Sequence, residues 1–195
     1  SRGGAVYNAS VTDSLDGAVT IGATTVKLSD ASAFPIDTPF DVSVGAEIMA
    51  VTSVSGNDFT VVRGAGGTLA APHGDTSTVV LQGFSSVLVL ESTLANNSAI
   101  AAGGAVFNED VLNVVNSTIS TNSAGAGGGI ASIGRASLSA VTVVNNSAGN
   151  AGGIASDGGS ATTKNTLIAA NNASGADVDV RGVFVSAGNN LVGDV

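Results

Sequence analysis

The chain has 195 residues, with 27 Gly, 3 Pro, no Cys, no Trp and a formal net charge of −9. That charge excludes the basic footprint that nucleic acid or an anionic membrane surface requires. No run approaches the ~18 apolar residues of a membrane helix, and the lack of Cys excludes a disulfide framework.

Hydrophobic residues are mostly Ala and Val, and charged residues make up only 11%, so Ser, Thr and Asn carry the polar surface. Small β-branched and hydroxyl side chains suit close-stacked strands better than helices. In chain order, the first motif is GGAVYN at residues 3–8, and it returns as GGAVFN at 103–108.

Between the two copies, residues 10–83 have a different character, holding all three Pro together with Met49 and His73. The stretch TTVKLSDASAFP (24–35) predicts a strand and then a turn. FDVSVGAEIMAVTSVSGNDFTVVRG (40–64) reads as three strands separated by a Gly turn and an Asn-containing turn, and TSTVVLQ (76–82) as a closing strand. The expectation is a small all-β module of about five or six strands with its ends close together.

From residue 84 onward the chain repeats. Leu94, Ile119, Val143 and Ile168 form one column with steps of 25, 24 and 25, and Asn97, Asn122, Asn146 and Asn171 form a second with the same steps. Val89, Val114, Leu138 and Thr163 form a third, and Gly104, Gly129 and Gly153 a fourth that begins at Gly4. Within each repeat apolar residues alternate (Val87 and Val89, Leu112 and Val114, Ala136 and Leu138), the period of a strand. A coil of short strands with a period of ~20–30 residues is a β-solenoid. Gly4 and Gly104 are 100 residues apart where one turn predicts 25. The excess of 75 fits a module inserted into the first turn, giving a coil over residues 1–9 and 84–195 and an inserted domain over 10–83.

The motifs GGAVFN, STISTNSAGAGGGI and NTLIAANNASGADVDVRGVFVSAGNNLVGD resemble right-handed parallel β-helix repeat proteins. They are similar to bacterial surface proteins with GGA-[ILV] and Asn-rich repeats, of the polymorphic outer-membrane type. The inserted module resembles small β modules of phage tail-type proteins. The resemblance implies a right-handed parallel β-helix at the cell surface or in the extracellular space. It says little about activity, because the group it resembles spans adhesins, lyases and very large proteins of no assigned activity.

The Val, Leu and Ile columns are expected to face the coil interior. The Asn column is expected at a corner, where stacked amides bond along the stack and Asn tolerates a left-handed backbone. Asn96-Asn97-Ser98 and Asn116-Ser117-Thr118 also fit the glycosylation sequon, but recurrence with the coil rhythm favours structural turns. The Gly column marks positions that exclude a Cβ. AGAGGG (124–129) lacks the Lys-Ser/Thr of a phosphate loop, and a calcium roll would need an Asp at each turn where only SDGGS offers Asp157. No cofactor or metal site is therefore expected. A lyase would need a carboxylate cluster, for which Asp177, Asp179, Arg181 and Lys164 are the candidates, with Asp177 and Asp179 alternating on one side of a strand. Polar capping of the last turn is the simpler account of them, and His73 reads as a turn or packing residue.

The resulting expectation is a non-enzymatic structural protein, self-assembling head to tail through open coil ends. The alternative is an adhesin whose inserted domain recognises a glycan or protein. A polysaccharide lyase or hydrolase is the third reading.

Overall fold

The computed structural model describes residues 1–82, 86–175 and 177–193. The chain divides into two compact units, Ser1–Ala9 with Ser86–Val195, and Ser10–Ser85. The boundary read at residues 83–84 lies outside the described residues. No helix among the described residues is long and apolar enough to cross a membrane.

The first unit is a parallel β-helix of about four turns. Its strands stack rung on rung. Thr93–Ala95, Thr118–Ser120, Thr142–Val144, Leu167–Ala169 and Leu191–Val192 form one parallel sheet, in which Leu94, Ile119, Val143 and Ile168 lie in register. A second sheet stacks Val6–Asn8, Val106–Asn108 and Ile130–Ser132, and also Ser86–Leu90, Val111–Val115 and Arg135–Ser139. The long strand Ile154–Lys164 runs along both stacks and joins them. Val89, Val114, Leu138 and Thr163 share one column of this sheet. A third, shorter sheet holds Ser123–Ala126, Ser147–Asn150 and Asn172–Ala173.

Alternation along each strand sends every second side chain inward. Leu112, Val114, Ile119, Ile130, Leu138, Val143, Ile154 and Ile168 are all buried in one cluster. Burying each such side chain contributes about 1.5–3 kcal/mol.

Three corners per turn bend the chain, and each repeats a left-handed residue from rung to rung. One corner runs through Gly3, Gly103, Gly127, Ala151 and Asp177, a second through Glu91, Asn116, Ala140, Asn165 and Asn189, and a third through Asn96, Thr121, Asn145 and Ala170. The left-handed residue at the third corner is thus the one before each column Asn. The column Asn itself turns its side chain along the stack, so the bend falls one residue earlier.

The Gly column also differs from its sequence reading. Val106 pairs with Ile130 and Ile130 with Ile154, so Gly4 and Gly104 stack on Gly128 and Gly152. Gly129 and Gly153 stack on each other one residue further along. The extra residue of the first full turn is absorbed between the bridges Ser98–Ser123 and Ala102–Ala126, where steps of 25 and 24 meet. A Cβ on Gly104 would sit 2.0 Å from the Gly128 carbonyl oxygen, which is why this corner admits no side chain.

The second unit is a six-stranded antiparallel sheet in the order Thr12–Ser14, Thr78–Gln82, Phe40–Val44, Glu47–Ser55, Asp58–Ala65, Thr25–Lys27. The bridge Leu15–Leu28 brings the two outer strands together and closes the sheet on itself. Thr12 pairs with Val80, so the two ends of the module leave side by side. The interior holds Leu15, Leu28, Met49 and Phe59. Phe59 meets the rings of Phe34 and Phe40 edge to face at 5.5 and 5.7 Å.

Candidate functional site

The buried polar groups of the coil form ladders. At the Asn corner, the backbone N–H and Nδ2 of Asn97 both donate to Asn122 Oδ1 at 2.9 Å, and Asn122 repeats both bonds to Asn146 at 2.9 Å. Asn146 does the same to Asn171 at 2.9 Å. The Nδ2 groups of Asn122, Asn146 and Asn171 also donate backward to the carbonyls of Leu94, Ile119 and Val143. All bonds between successive Asn residues point towards the C-terminal end.

Asn171 donates its N–H and Nδ2 to Asp179 Oδ1 at 2.9 and 2.7 Å. Asp179 is 3% exposed and stacks on Gly153, the position from which a side chain reaches the ladder. Asp177 is a left-handed corner residue, and the strand begins only at Val180. Asp177 and Asp179 therefore do not alternate on a strand, in contrast to the sequence expectation. Arg181 instead forms a two-point ion pair with Asp157, and Lys164 belongs to the separate stack that pairs with Ser139.

A second ladder, not read from the sequence, starts in the opening motif itself. Asn8 Nδ2 donates to Asn108 Oδ1 at 2.7 Å, and Asn108 Nδ2 donates to Ser132 Oγ at 2.9 Å. Ser156 is next in register, its buried hydroxyl without a partner among the described residues. The shared final Asn of GGAVYN and GGAVFN was the available signal.

On the outer face, the alternate residues of the same strands form the column Tyr7, Phe107, Ala131, Ala155, Arg181. Tyr7 and Phe107 lie with ring centroids 5.5 Å apart, and the Arg2 guanidinium sits 4.9 Å over the Phe107 ring. Tyr7 Oη donates to Glu109 Oε1 at 3.1 Å, and Arg2 pairs with the same oxygen. Beside Phe107 the side chains shrink to Ala131 and Ala155, leaving a groove of ≈ 230 Å³ walled by Ala126 and Ile133 and reached by Arg2 and Asp157. Phe107, Ala131 and Ala155 are themselves buried, forming with Ala151 a small apolar cluster beneath the groove, and the charged groups at its border are held in pairs.

Among the described residues, the inserted module has one buried charged centre. Glu47, 1% exposed, accepts Nε and Nη2 of Arg63 at 2.7 and 2.8 Å, the N–H groups of Gly64 and Ala71, and lies 2.7 Å from His73 Nε2. Arg63 also donates to the carbonyls of Thr20, Ala23 and Ala71. The guanidinium holds the Glu47 carboxyl down to about 2, against the opposing effect of burial and with help from the backbone N–H groups and His73. The same pairing raises Arg63. Each donor is matched by an acceptor, so the centre ties the 64–73 loop to the segment around Thr20 and carries no open coordination position. Among the described residues, no group of three or more His, Asp or Glu side chains is placed to hold a metal.

No protein-family model matches the chain, and no curated protein matches it. Three solved tailspikes are similar in structure. The tailspike gp49 from Pseudomonas phage LKA1 shares 14% identity at a TM-score of 0.41, covering 84% of this chain and 31% of its own. The tailspike gp61 of Pseudomonas phage phi297 shares 13% at 0.29, covering 87% and 36%. The Gp54 tailspike of Acinetobacter baumannii bacteriophage AP22, solved with an A. baumannii capsular saccharide, shares 8% at 0.27, covering 84% and 46%. The chain thus spans less than half the length of each.

Proposed function

We propose that this chain is a non-enzymatic structural protein of the cell surface or extracellular space, whose coil binds an extended glycan along its outer groove. The observation that carries the reading is the outward column that runs from the exposed Tyr7 over the largely covered Phe107, Ala131 and Ala155 to Arg181, beside a groove of ≈ 230 Å³. A sugar ring offers an apolar C–H face to an aromatic or aliphatic floor and hydroxyls to fixed charged groups at the rim. Stacked strands hold these residues on a rigid surface, so little ordering opposes binding. The non-enzymatic part is supported by the placement of the acidic candidates. Asp179 accepts from Asn171 inside the ladder and Asp157 is paired with Arg181, so among the described residues these candidates do not form the facing carboxylate pair that glycoside hydrolysis uses.

Calorimetric titration with a panel of neutral and acidic oligosaccharides tests the reading. Binding by the wild type is expected, weakened at least about tenfold in Tyr7→Ala and in Arg181→Ala, which is a loss of about 1.4 kcal/mol or more. Lys164→Ala, in a separate stack, should leave it unchanged. Failure of every sugar to bind would sink the proposal, and release of shortened products would overturn its non-enzymatic part.

A further inference from the structure

Ser, Thr and Asn carry the polar surface of this chain, yet the groove beside Phe107 is lined by Phe107, Ile133 and five alanines. The Ser132 hydroxyl in its wall is already engaged, accepting from Asn108 Nδ2 at 2.9 Å and donating to the Gly134 carbonyl at 3.1 Å. The two charged residues that reach the groove are each neutralised, Arg2 by Glu109 and Asp157 by Arg181. At ≈ 230 Å³ the space is smaller than the ~300–1,000 Å³ of a drug-sized pocket, so it takes one substituted sugar ring and not a stretch of chain.

We propose that the groove selects an uncharged, N-acetylated sugar, seating the acetyl methyl against its alanines and Ile133. The inference rests on the glycan reading and names which sugar that site takes. An acetamido group combines an apolar methyl with one N–H donor and one carbonyl acceptor. Its methyl gains from leaving water for an apolar wall. A plain hydroxyl in the same place would exchange water for methyl groups and lose its hydrogen bonds. A free amine would carry an ammonium charge to the same wall, at greater cost. A uronate would find both guanidinium groups already paired, in the field of a chain of net charge −9. Arg2 bonds Glu109 through Nη1, and a guanidinium carries five N–H donors, so it can still donate to the carbonyl of the amide.

The experiment titrates the whole chain with matched oligosaccharides of the gluco, galacto and manno series. Within each series the members differ only in bearing an acetamido group, a hydroxyl or a free amine at one ring carbon, with a uronate member added. In the series that binds, the acetamido member is expected to bind at least about tenfold tighter than the others. Its acetyl methyl should receive the strongest saturation transfer from the protein in NMR. Ile133→Ser removes one apolar wall at a residue already 47% exposed, so its melting should match the wild type. Its affinity for the acetamido member should fall about threefold to tenfold, while that for the hydroxyl member holds. Equal or tighter binding of a hydroxyl, amine or uronate member would overturn the inference and leave the glycan reading standing. An unchanged preference in folded Ile133→Ser would overturn it too, and the wild-type comparison decides alone should that variant not fold. If no member of any series binds, the glycan reading falls and the inference with it.

Discussion

The two units solve the same problem, polar groups inside a β structure, in opposite ways. The coil uses neutral amides, repeated once per rung, each bonded to the next at nearly constant distance. The inserted module uses a single charged centre, in which Glu47 accepts from Arg63, Gly64 and Ala71 and contacts His73. A ladder distributes its stabilisation over many equivalent members, so each member matters modestly and position along the stack sets how much. A buried ion pair concentrates the effect, because removing either partner leaves an uncompensated charge.

The strongest way to break this contrast is Glu47→Ala. It strands Arg63 in the interior and should destabilise the module by about 3–5 kcal/mol. In a calorimetric scan the transition of the module should fall while that of the coil stays in place. A shared shift of both transitions would show that the units do not unfold separately.

Acid should reproduce part of that loss without mutation. The Glu47 carboxyl is held at about 2 rather than 4.5. Its contribution is therefore complete above pH 4.5 and disappears as pH falls from there through 2, a loss of about 3 kcal/mol. The amide members of the ladder have nothing to titrate in that window, and its one carboxylate is Asp179 at the last bond. Circular dichroism melts between pH 6 and 2 should show the module weakening first, and a coil that weakens in parallel would contradict the contrast.

Within the coil, Asn146→Ala removes the acceptor for two donors of Asn122, and it should cost about 2–3 kcal/mol. Asn97→Ala, at the first of these rungs, removes the Nδ2 donor to Asn122 while its backbone N–H bond stays, and should cost about 1 kcal/mol. Urea midpoints at equal slope test the ranking, and equal costs at both sites would mean that the ladder does not act as a stack. The smallest effect is expected in the module's turn at Gly45, where φ is +58° and a Cβ meets open space. Gly45→Ala should cost about 1 kcal/mol from backbone strain alone, and Gly45→Asn distinctly less.

The same contrast explains what could be read from residues alone. Columns such as Leu94, Ile119, Val143 and Ile168 are visible because the coil imposes its period on the chain, and in the structure they stack in register. The Gly column slipped by one residue because steps of 24 and 25 coexist at different corners of one turn, and only pairing shows where the extra residue goes. Glu47, Arg63 and His73 have no such period. They lie on different strands and a loop, so their meeting depends on the closed sheet and not on spacing.

What the residues determine by themselves is the repeating part: an all-β coil with an apolar interior and Asn at a corner, interrupted by a module of different composition. Periodicity writes the same local environment many times, and each copy reports on the others. Tertiary structure alone decided which residue turns each corner, that Asp179 leaves the expected carboxylate cluster to complete a ladder, and that Phe107, Ala131 and Ala155 form the floor of a groove. Those features depend on single contacts between distant segments, and a contact made once leaves no rhythm in the chain.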